Sequence, residues 1–394
     1  MRLALPVLRV LLHALIWAYC HGSLTRANAA GSRPALPAAS SAPPQQLTSR
    51  RGVLSAVVAA TTAVLYPDQS WANVNSNGGR VINLPLENCG GSWCTLFAVE
   101  GNVFRGVLDT GSPFLTVAGS CTRRWGCFRG EGVPSGLDDT IEIYAGNSGP
   151  VSWKKGMLEL GFLRSDVDDE GFIFNKFIFG VLSDELVSRP GGVFLGLVKY
   201  NTKGIRPTFL GQTDVAALRF DFPRRVLSLS RAPLIPRACA DAVPLVDLRP
   251  LGDPVQHYAA RAAAVTTKQR ALHPPPPPPA HGAAAAKDVY VIFDTGTTGL
   301  AVSRALWDAE DVYARVNGGR PFRDVAVTLA TEGGGAVTLC ARRPLTTPLD
   351  LPWRGFNERA HLLVIGLDFM SSVVLTIDVD DRRLLWQQLP DADV

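Results

Sequence analysis

The chain has 394 residues, of which 46% are hydrophobic and 19% are charged, a composition that can bury a large core and argues against wholesale disorder. Residues 1–72 hold six Arg and one acidic residue, so residues 73–394 keep 33 basic and 34 acidic residues and a net charge of −1. A nearly neutral body argues against a nucleic-acid partner, because nucleic-acid binders usually carry a basic patch. No apolar run after residue 72 approaches the roughly 18–20 residues that span a bilayer, so we expect no stable membrane anchor after processing.

The first 72 residues are predicted to be a targeting leader in three parts. Residues 1–22 combine a positive start with a short apolar stretch, which is typical of a signal peptide. Residues 23–49 are rich in Ala, Ser and Pro and contain no acidic residue, as in a transit peptide. Arg50 and Arg51 precede an apolar segment that ends at Ala72, which resembles a twin-arginine export signal. This order predicts delivery to a plastid and its thylakoid lumen; secretion or an endomembrane lumen is the alternative destination, and a disordered Ala-rich tail is the alternative structure.

The body after the leader is predicted to be mostly β. Residues 78–235 are dominated by short alternating apolar runs, which predict strands. The Gly101-Asn102 pair between two such runs predicts a type II′ hairpin. Two more strand pairs are predicted farther along the chain, at 218–222 with 226–230 and at 373–377 with 384–386.

Two segments depart from this strand pattern. A helix is predicted after Ser303, which would be its N-cap, with Leu306, Val312 and Val316 facing inward. Residues 273–286 contain six consecutive Pro and form a low-complexity insert. We expect an exposed, extended loop there, and a ligand for proline-recognising modules is the alternative.

One motif occurs twice in matching contexts. Residues 109–112 and 294–297 each read Asp-Thr-Gly followed by a hydroxyl residue, and each copy follows an apolar strand end. Farther on, each copy has an apolar run that closes on Gly, at 193–197 and 363–367. A single Asp-Thr-Gly is a weak signal because Asp and Gly are ordinary turn residues. Two copies with matching partners predict two homologous β-rich halves, each supplying one carboxylate.

This arrangement resembles the pepsin-like aspartic proteases, and the resemblance covers nearly all of residues 78–390. It implies a mostly β, bilobal fold of two homologous antiparallel β lobes with the active site between them. The N-terminal lobe would span 78–215, and the C-terminal lobe would span 216–394 and carry the Pro-rich insert. Asp109 and Asp294 would face each other and activate a water that hydrolyses a peptide bond, without a metal or cofactor. The implied partner is a polypeptide substrate, the optimum would be acidic, and a monomer is expected.

The resemblance also assigns supporting roles to the three residues after each Asp. The threonines would link the two loops, the glycines would let the backbone approach the water, and the final hydroxyls would bond the outer carboxylate oxygens. These supporting residues are Thr110, Gly111, Ser112, Thr295, Gly296 and Thr297. For either Asp taken alone, a turn or cap residue is the competing interpretation.

The resemblance further implies a flap over the cleft, and residues 141–149 lie at its place. Tyr144 is the candidate flap residue, with an ordinary strand Tyr as the alternative. Three departures concern the flap: Ala145 stands where the family has Gly, Pro113 follows the first motif, and Thr116 stands about where the family has a Trp that supports the Tyr. These departures keep open a catalytically silent scaffold that binds peptide or protein.

Six of the seven Cys follow the predicted signal peptide, and an even number suits an oxidising lumen or secretory space. In the resembled enzymes, a small disulfide loop often follows the first motif. The candidate pairs are Cys121 with Cys127, Cys89 with Cys94 and, by default, Cys239 with Cys340. Zinc is the rival ligand for the two close pairs, but their spacing is wider than the usual two residues, so we predict no metal site.

Overall fold

Three β-sheets make up the part of the chain that the computed structural model describes. The described residues are 81–144, 147–161, 172–182, 193–200, 206–268, 271–273, 287–350 and 356–388. The predicted targeting leader, residues 1–72, lies outside them, as do 274–286 of the Pro-rich insert and 145–146, the tip of the predicted flap. Among the described residues, none of the helices is long and apolar enough to cross a membrane.

The strands and helices are numbered in chain order. The strands of the first half are β1 (Val81–Pro85), β2 (Glu87–Asn88), β3 (Trp93–Val99), β4 (Asn102–Asp109), β5 (Leu115–Ala118), β6 (Val133–Pro134), β7 (Thr140–Tyr144), β8 (Asn147–Leu160), β9 (Phe172–Leu182) and β10 (Phe194–Gly196). The strands that follow are β11 (Ala217–Asp221), β12 (Val226–Ser230), β13 (Val243–Pro244), β14 (Ala259–Thr266), β15 (Ala271–His273), β16 (Asp288–Phe293), β17 (Leu300–Ser303), β18 (Val325–Ala330), β19 (Ala336–Ala341), β20 (Thr346–Leu349), β21 (Ala360–Ile365), β22 (Val373–Asp378) and β23 (Arg383–Gln388). The helices are α1 (Arg304–Val316), α2 (Phe356–Arg359) and α3 (Leu367–Met370), with short 3₁₀ turns at Leu210–Gln212 and Arg249–Leu251.

Each half of the body contributes a large sheet, and a third sheet joins the halves. In the described residues, the first sheet has the order β2-β3-β4-β10-β5-β9-β8-β6, with β7 paired to β8. The second has the order β19-β18-β14-β16-β21-β17-β20, with β15 paired to β14. The joining sheet has the order β1-β12-β11-β22-β23-β13, so it combines the first described strand with the last two. This is the mostly β, bilobal architecture that the repeated motif predicts.

The strands around the two Asp-Thr-Gly motifs repeat one arrangement. In the first half, β4 ends at Asp109 and lies parallel to β10, which is antiparallel to β5, which is in turn parallel to β9. In the second half, β16 ends just before Asp294 and lies parallel to β21, which is antiparallel to β17, which is parallel to β20. Strand β10 is buried along its whole length and β21 at every residue but His361, which explains why these two segments read as continuous apolar runs rather than alternations.

The predicted hairpins are present, with one difference in turn type. Strands β11 and β12 pair with each other, as do β22 and β23. The turn between β3 and β4 passes through Glu100 and Gly101, whose φ values are 48° and 71°. Two central residues in the left-handed region define a type I′ turn, so the type II′ prediction is wrong. The register lies one residue earlier than predicted, because Asn102 pairs with Val99 and belongs to the strand.

Helix α1 is confirmed, but its inward face differs from the prediction. Ser303 occupies the N-cap position, yet its hydroxyl accepts a hydrogen bond from the backbone of β21 instead of capping the helix. Leu306 is buried as predicted, whereas Val312 and Val316 are 61% and 80% exposed, so their inward assignment is wrong. The buried positions of the helix are Leu306, Glu310 and Ala314.

Two of the three candidate cysteine pairs are bonded. Cys89 is bonded to Cys94, and Cys121 is bonded to Cys127. The default pairing of the remaining two cysteines is wrong, because both are free thiols on separate segments: one lies between β12 and β13 and the other on β19. These are Cys239 and Cys340.

Candidate active site

Each motif Asp lies where a buried strand ends against its parallel neighbour. The Asp109 carbonyl accepts the Leu197 N–H at 2.7 Å, just beyond β10. The Asp294 N–H donates to the Ile365 carbonyl at 3.0 Å, at the end of β21. The two Asp residues are 0% and 4% exposed, respectively. The apolar strands therefore hold both carboxyl groups at fixed points inside the protein.

The motif glycines bring the two carboxyl groups together. A Cβ atom on Gly111 would lie 2.7 Å from Cγ of Asp294, and a Cβ atom on Gly296 would lie 2.5 Å from Cγ of Asp109. Both distances are far below van der Waals contact, so each position admits only glycine while the opposite carboxyl group stays in place. This cross-packing makes the Asp109 and Asp294 carboxyl groups face each other across the two motif glycines.

The motif threonines link the two loops by four hydrogen bonds. The Thr110 hydroxyl donates to the Phe293 carbonyl at 2.8 Å and accepts the Thr295 N–H at 2.9 Å. The Thr295 hydroxyl donates to the Leu108 carbonyl at 2.9 Å and accepts the Thr110 N–H at 3.1 Å. The bonds are related by the internal repeat, so each loop positions the other.

We expect the Thr110→Val substitution to cost about 2–4 kcal/mol of unfolding free energy. Val keeps the shape of the side chain but leaves the buried Thr295 N–H and Phe293 carbonyl without their partner, and each unpaired group costs about 1–3 kcal/mol. Denaturant unfolding measures the loss. Thr328→Val is the matched control, because its hydroxyl bonds only the exposed Thr338 hydroxyl at 3.1 Å. Equal losses in the two variants would contradict the role of the threonine link.

Matching pairs of donors hold the two carboxylates. In both loops the N–H of the residue two positions on donates to Oδ1 at 2.8 Å, and the hydroxyl three positions on donates to Oδ2 at 2.7 Å. These donors are Gly111 and Ser112 in the first loop and Gly296 and Thr297 in the second. Among the described residues, no three His, Cys, Asp or Glu side chains are grouped so that they could hold a metal ion.

Burial raises the pKa of Asp109 well above its ordinary value, and the facing Asp294 carboxylate raises it further by repulsion. Hydrogen bonds from Ser112 and from the Gly111 N–H lower the pKa of Asp109 without reversing this effect. Two buried carboxyl groups so close together cannot both ionise cheaply, so the stable state holds one proton between them. The two side chains, called here the aspartate pair, thus combine one negative charge with one shared proton.

Comparison with known proteins identifies the fold of the chain. The sequence matches no protein-family model and no curated protein. The structure is similar to that of the aspartic proteinase from Irpex lacteus, with a TM-score of 0.52 and 13% sequence identity over 80% of this chain and 99% of that chain. The chain has the pepsin-like aspartic proteinase fold. The match extends over nearly the whole of the Irpex lacteus proteinase, so both halves of the repeat belong to the shared fold.

In this pepsin-like fold, the hairpin of β7 and β8 is the predicted flap. Tyr144 is the last residue of β7 and pairs with Asn147 across the tip. The tip itself, residues 145–146, lies outside the described residues. The function of Tyr144 as a flap residue stays a prediction.

Trp153 on β8 links the segment after the first motif to the hairpin of β7 and β8, and the sequence did not reveal this. Its Nε1–H donates to Thr140 Oγ1 at 3.0 Å, at the start of β7, and its ring packs edge-on against Phe114 with centroids 5.2 Å apart. Thr116, where the resemblance places a Trp, is buried and its hydroxyl instead accepts the Phe194 N–H at 3.3 Å. Trp153, rather than a Trp at position 116, therefore connects Phe114 with the start of β7.

A second residue that the sequence did not reveal is His257. Its Nε2 lies 3.2 Å from the carbonyl oxygen of Gly111, and its Nδ1 lies 2.8 Å from Oδ1 of Asp253. An Asp four residues before a His is too common a pattern to single out. The contact depends on folding, because His257 and Gly111 are 146 residues apart in the chain.

The first disulfide loop contacts the loop of the second Asp-Thr-Gly motif. The hydroxyl of Thr298, directly after the second motif, donates to the Gly91 carbonyl at 3.1 Å. Gly91 lies inside the loop that the Cys89–Cys94 disulfide closes. This contact crosses from the first half of the chain to the second, beside the threonine link.

Proposed function

We propose that this protein is an aspartic endopeptidase, which hydrolyses peptide bonds with a water activated between Asp109 and Asp294. The observation that carries the proposal is the symmetric meeting of two buried carboxyl groups, each held by one backbone N–H and one hydroxyl. The pepsin-like fold supports it, because the structurally similar Irpex lacteus protein is an aspartic proteinase. Neither carboxylate alone would carry the proposal, since a single buried Asp also occurs as a turn or cap residue.

The first chemical step forms a tetrahedral diol. The ionised member of the aspartate pair takes a proton from the water as the water oxygen attacks the carbonyl carbon of the peptide bond. The protonated member donates its proton to the carbonyl oxygen, so no free oxyanion accumulates. The step leaves the aspartate pair with one proton, now on the other carboxyl group.

The second step breaks the carbon–nitrogen bond. The member that is now ionised takes a proton from one hydroxyl of the diol, which restores a carbonyl group. The member that is now protonated donates to the peptide nitrogen, and the amine leaves. The aspartate pair returns to its starting charge, so one shared proton serves every turnover. The donors Ser112 and Thr297 would keep the outer carboxylate oxygens in place throughout.

In this proposal the substrate is a polypeptide that lies extended between the two catalytic loops and the β7–β8 hairpin. The hairpin is tied to the first loop by Trp153, through its bond to Thr140 and its contact with Phe114. Tyr144, at the end of β7, would contact the substrate from the flap side. Pockets along the cleft would then set the side-chain preference.

The proposal is tested with purified protein refolded under oxidising conditions, because two disulfides must form. The protein is incubated with an unfolded polypeptide from about pH 3 to 7, with and without pepstatin, and fragments are counted by mass spectrometry. We expect cleavage at acid pH that pepstatin blocks, because the shared proton is lost as pH rises. A folded sample that cleaves no unfolded polypeptide and binds no pepstatin would contradict the proposal and favour the silent scaffold.

A further inference from the structure

A buried carboxylate and a buried imidazole lie directly behind the first catalytic loop. Asp253 and His257 follow the 3₁₀ turn that ends at residue 251 and precede β14. Both are 4% exposed. The His257 ring lies between Asp253 on one side, at 2.8 Å, and the Gly111 carbonyl oxygen on the other, at 3.2 Å. The imidazole therefore contacts the glycine that packs against Asp294.

The hydrogen-bond partners determine how many protons the ring carries. Both carboxyl oxygens of Asp253 also accept backbone hydrogen bonds, Oδ1 from the Val255 N–H at 3.1 Å and Oδ2 from the His257 N–H at 3.2 Å, so Asp253 faces the ring as an acceptor. The Gly111 carbonyl oxygen can only accept. Both ring nitrogens therefore face acceptors, and both bonds form only when both nitrogens carry hydrogen. The ring is an imidazolium, paired with a carboxylate.

The charges around the ring favour the same state. Burial by itself lowers the pKa of His257, but the Asp253 carboxylate, the Gly111 carbonyl and Asp294 outweigh it, and the pKa is raised above its ordinary value. Arg382, on the turn between β22 and β23, donates to the His257 backbone carbonyl at 2.9 Å rather than to the ring. The facing negative groups are thus Asp253 on one side and the aspartate pair on the other.

We propose that His257 is a positioning residue whose buried positive charge, oriented by Asp253, stabilises the negative charge of the aspartate pair and sets the pH range of its proton exchange. The imidazolium lies between Asp253 and the catalytic loop, so the positive end of this ion pair faces the site. Its Nε2–H bond also holds the Gly111 carbonyl, and with it the backbone that packs on Asp294. For its effect on turnover, this inference depends on the proposed function.

The test uses the double substitution Asp253→Asn with His257→Gln, which removes both charges and leaves two amides that can bond each other. The double variant loses the whole ion pair, and its positive member, His257, lies nearer to the aspartate pair than its negative member, Asp253. The loss of the nearer positive charge makes it harder to ionise the aspartate pair and harder to remove its last proton. We therefore expect both limbs of the pH profile of kcat/KM to move to higher pH, by roughly one pH unit. His361→Gln is the matched control, on β21 away from the motif, and its profile should coincide with that of the wild type. A double variant with an unchanged profile would overturn the proposal.

A second measurement needs no activity and keeps the proposal testable if the variant or the enzyme is inactive. Nitrogen NMR of the folded wild-type protein should show both His257 ring nitrogens protonated at pH 7, above the ordinary pKa of His, which is about 6.5. Carbon NMR of the Asp109 carboxyl group should show its titration at higher pH in the double variant. A neutral ring at pH 7, or an unchanged carboxyl titration, would overturn the inference. Absence of cleavage by the wild type would count against the proposed function alone.

Discussion

Replacing Asp109 with Asn will abolish peptide cleavage while making the fold more stable at neutral pH. The amide can neither take a proton from the water nor hold the proton that the aspartate pair shares, so kcat/KM should fall by about 10³-fold or more. Asn is nearly the same size, and its oxygen can still accept the Gly111 N–H bond. Initial rates on an unfolded polypeptide at acid pH measure the loss.

The gain in stability follows from the pKa of Asp109. Burial and the Asp294 carboxylate raise this pKa, so between the ordinary value and the raised one the folded state binds more protons than the unfolded state. The wild-type protein therefore loses stability as pH rises through that window, and the neutral Asn variant does not. Thermal unfolding should give the two proteins similar melting temperatures below the ordinary pKa of Asp. At pH 7 the variant should have the higher melting temperature.

Asp288→Asn is the control for this pair of effects. Asp288 forms an exposed ion pair with Arg261 at 2.6 Å, and such pairs contribute little to stability. We expect unchanged cleavage and an unchanged pH dependence of unfolding. Asp109→Asn protein that retained more than about a tenth of the wild-type kcat/KM would show that the aspartate pair is not the catalytic group.

The repeated architecture was predictable because each half of the sequence contains the same two short signals, an Asp-Thr-Gly motif and a Gly-ended apolar run. Each Asp-Thr-Gly motif ends a buried strand, and each Gly-ended apolar run forms the strand parallel to it. Strands buried on both faces require continuous apolar residues, so both runs stand out against the alternating strands around them. The meeting of Asp109 with Asp294 then follows from the repeat, together with the family resemblance.

The errors and omissions concern properties that depend on contacts across the fold. On α1 the apolar pattern favours Val312 and Val316 as inward positions, but both are exposed and Glu310 is buried instead. The Glu310 carboxylate accepts a hydrogen bond from the buried Thr267 hydroxyl at 3.2 Å. A polar residue that finds a partner in the core overrides the apolar pattern. His257 and Trp153 were missed for the same reason. Their partners lie on other strands or loops, and no local spacing indicates them.

The Gly296→Ala substitution will inactivate the protein by adding a single methyl group. The new Cβ would lie 2.5 Å from both Cγ and Oδ1 of Asp109, so the carboxyl group must move away from its bonds to Gly111 and Ser112. Displacement of a reacting group by about 1 Å can cost roughly 10²-fold in rate, and we expect at least that loss in kcat/KM. Overpacking should also cost about 1–3 kcal/mol of unfolding free energy.

The comparison with two other glycines separates this clash from general effects of alanine. Gly111, Gly296 and Gly335 all lie outside the left-handed φ region, so alanine strains the backbone at none of them. Gly111→Ala should behave like Gly296→Ala, because its Cβ would lie 2.7 Å from Cγ of Asp294. At Gly335 the nearest atom is the Thr331 hydroxyl at 3.2 Å, a side chain that can rotate, so cleavage should be unchanged. If Gly296→Ala cleaved within about threefold of the wild type, the two carboxyl groups would not need the contact geometry on which the mechanism depends.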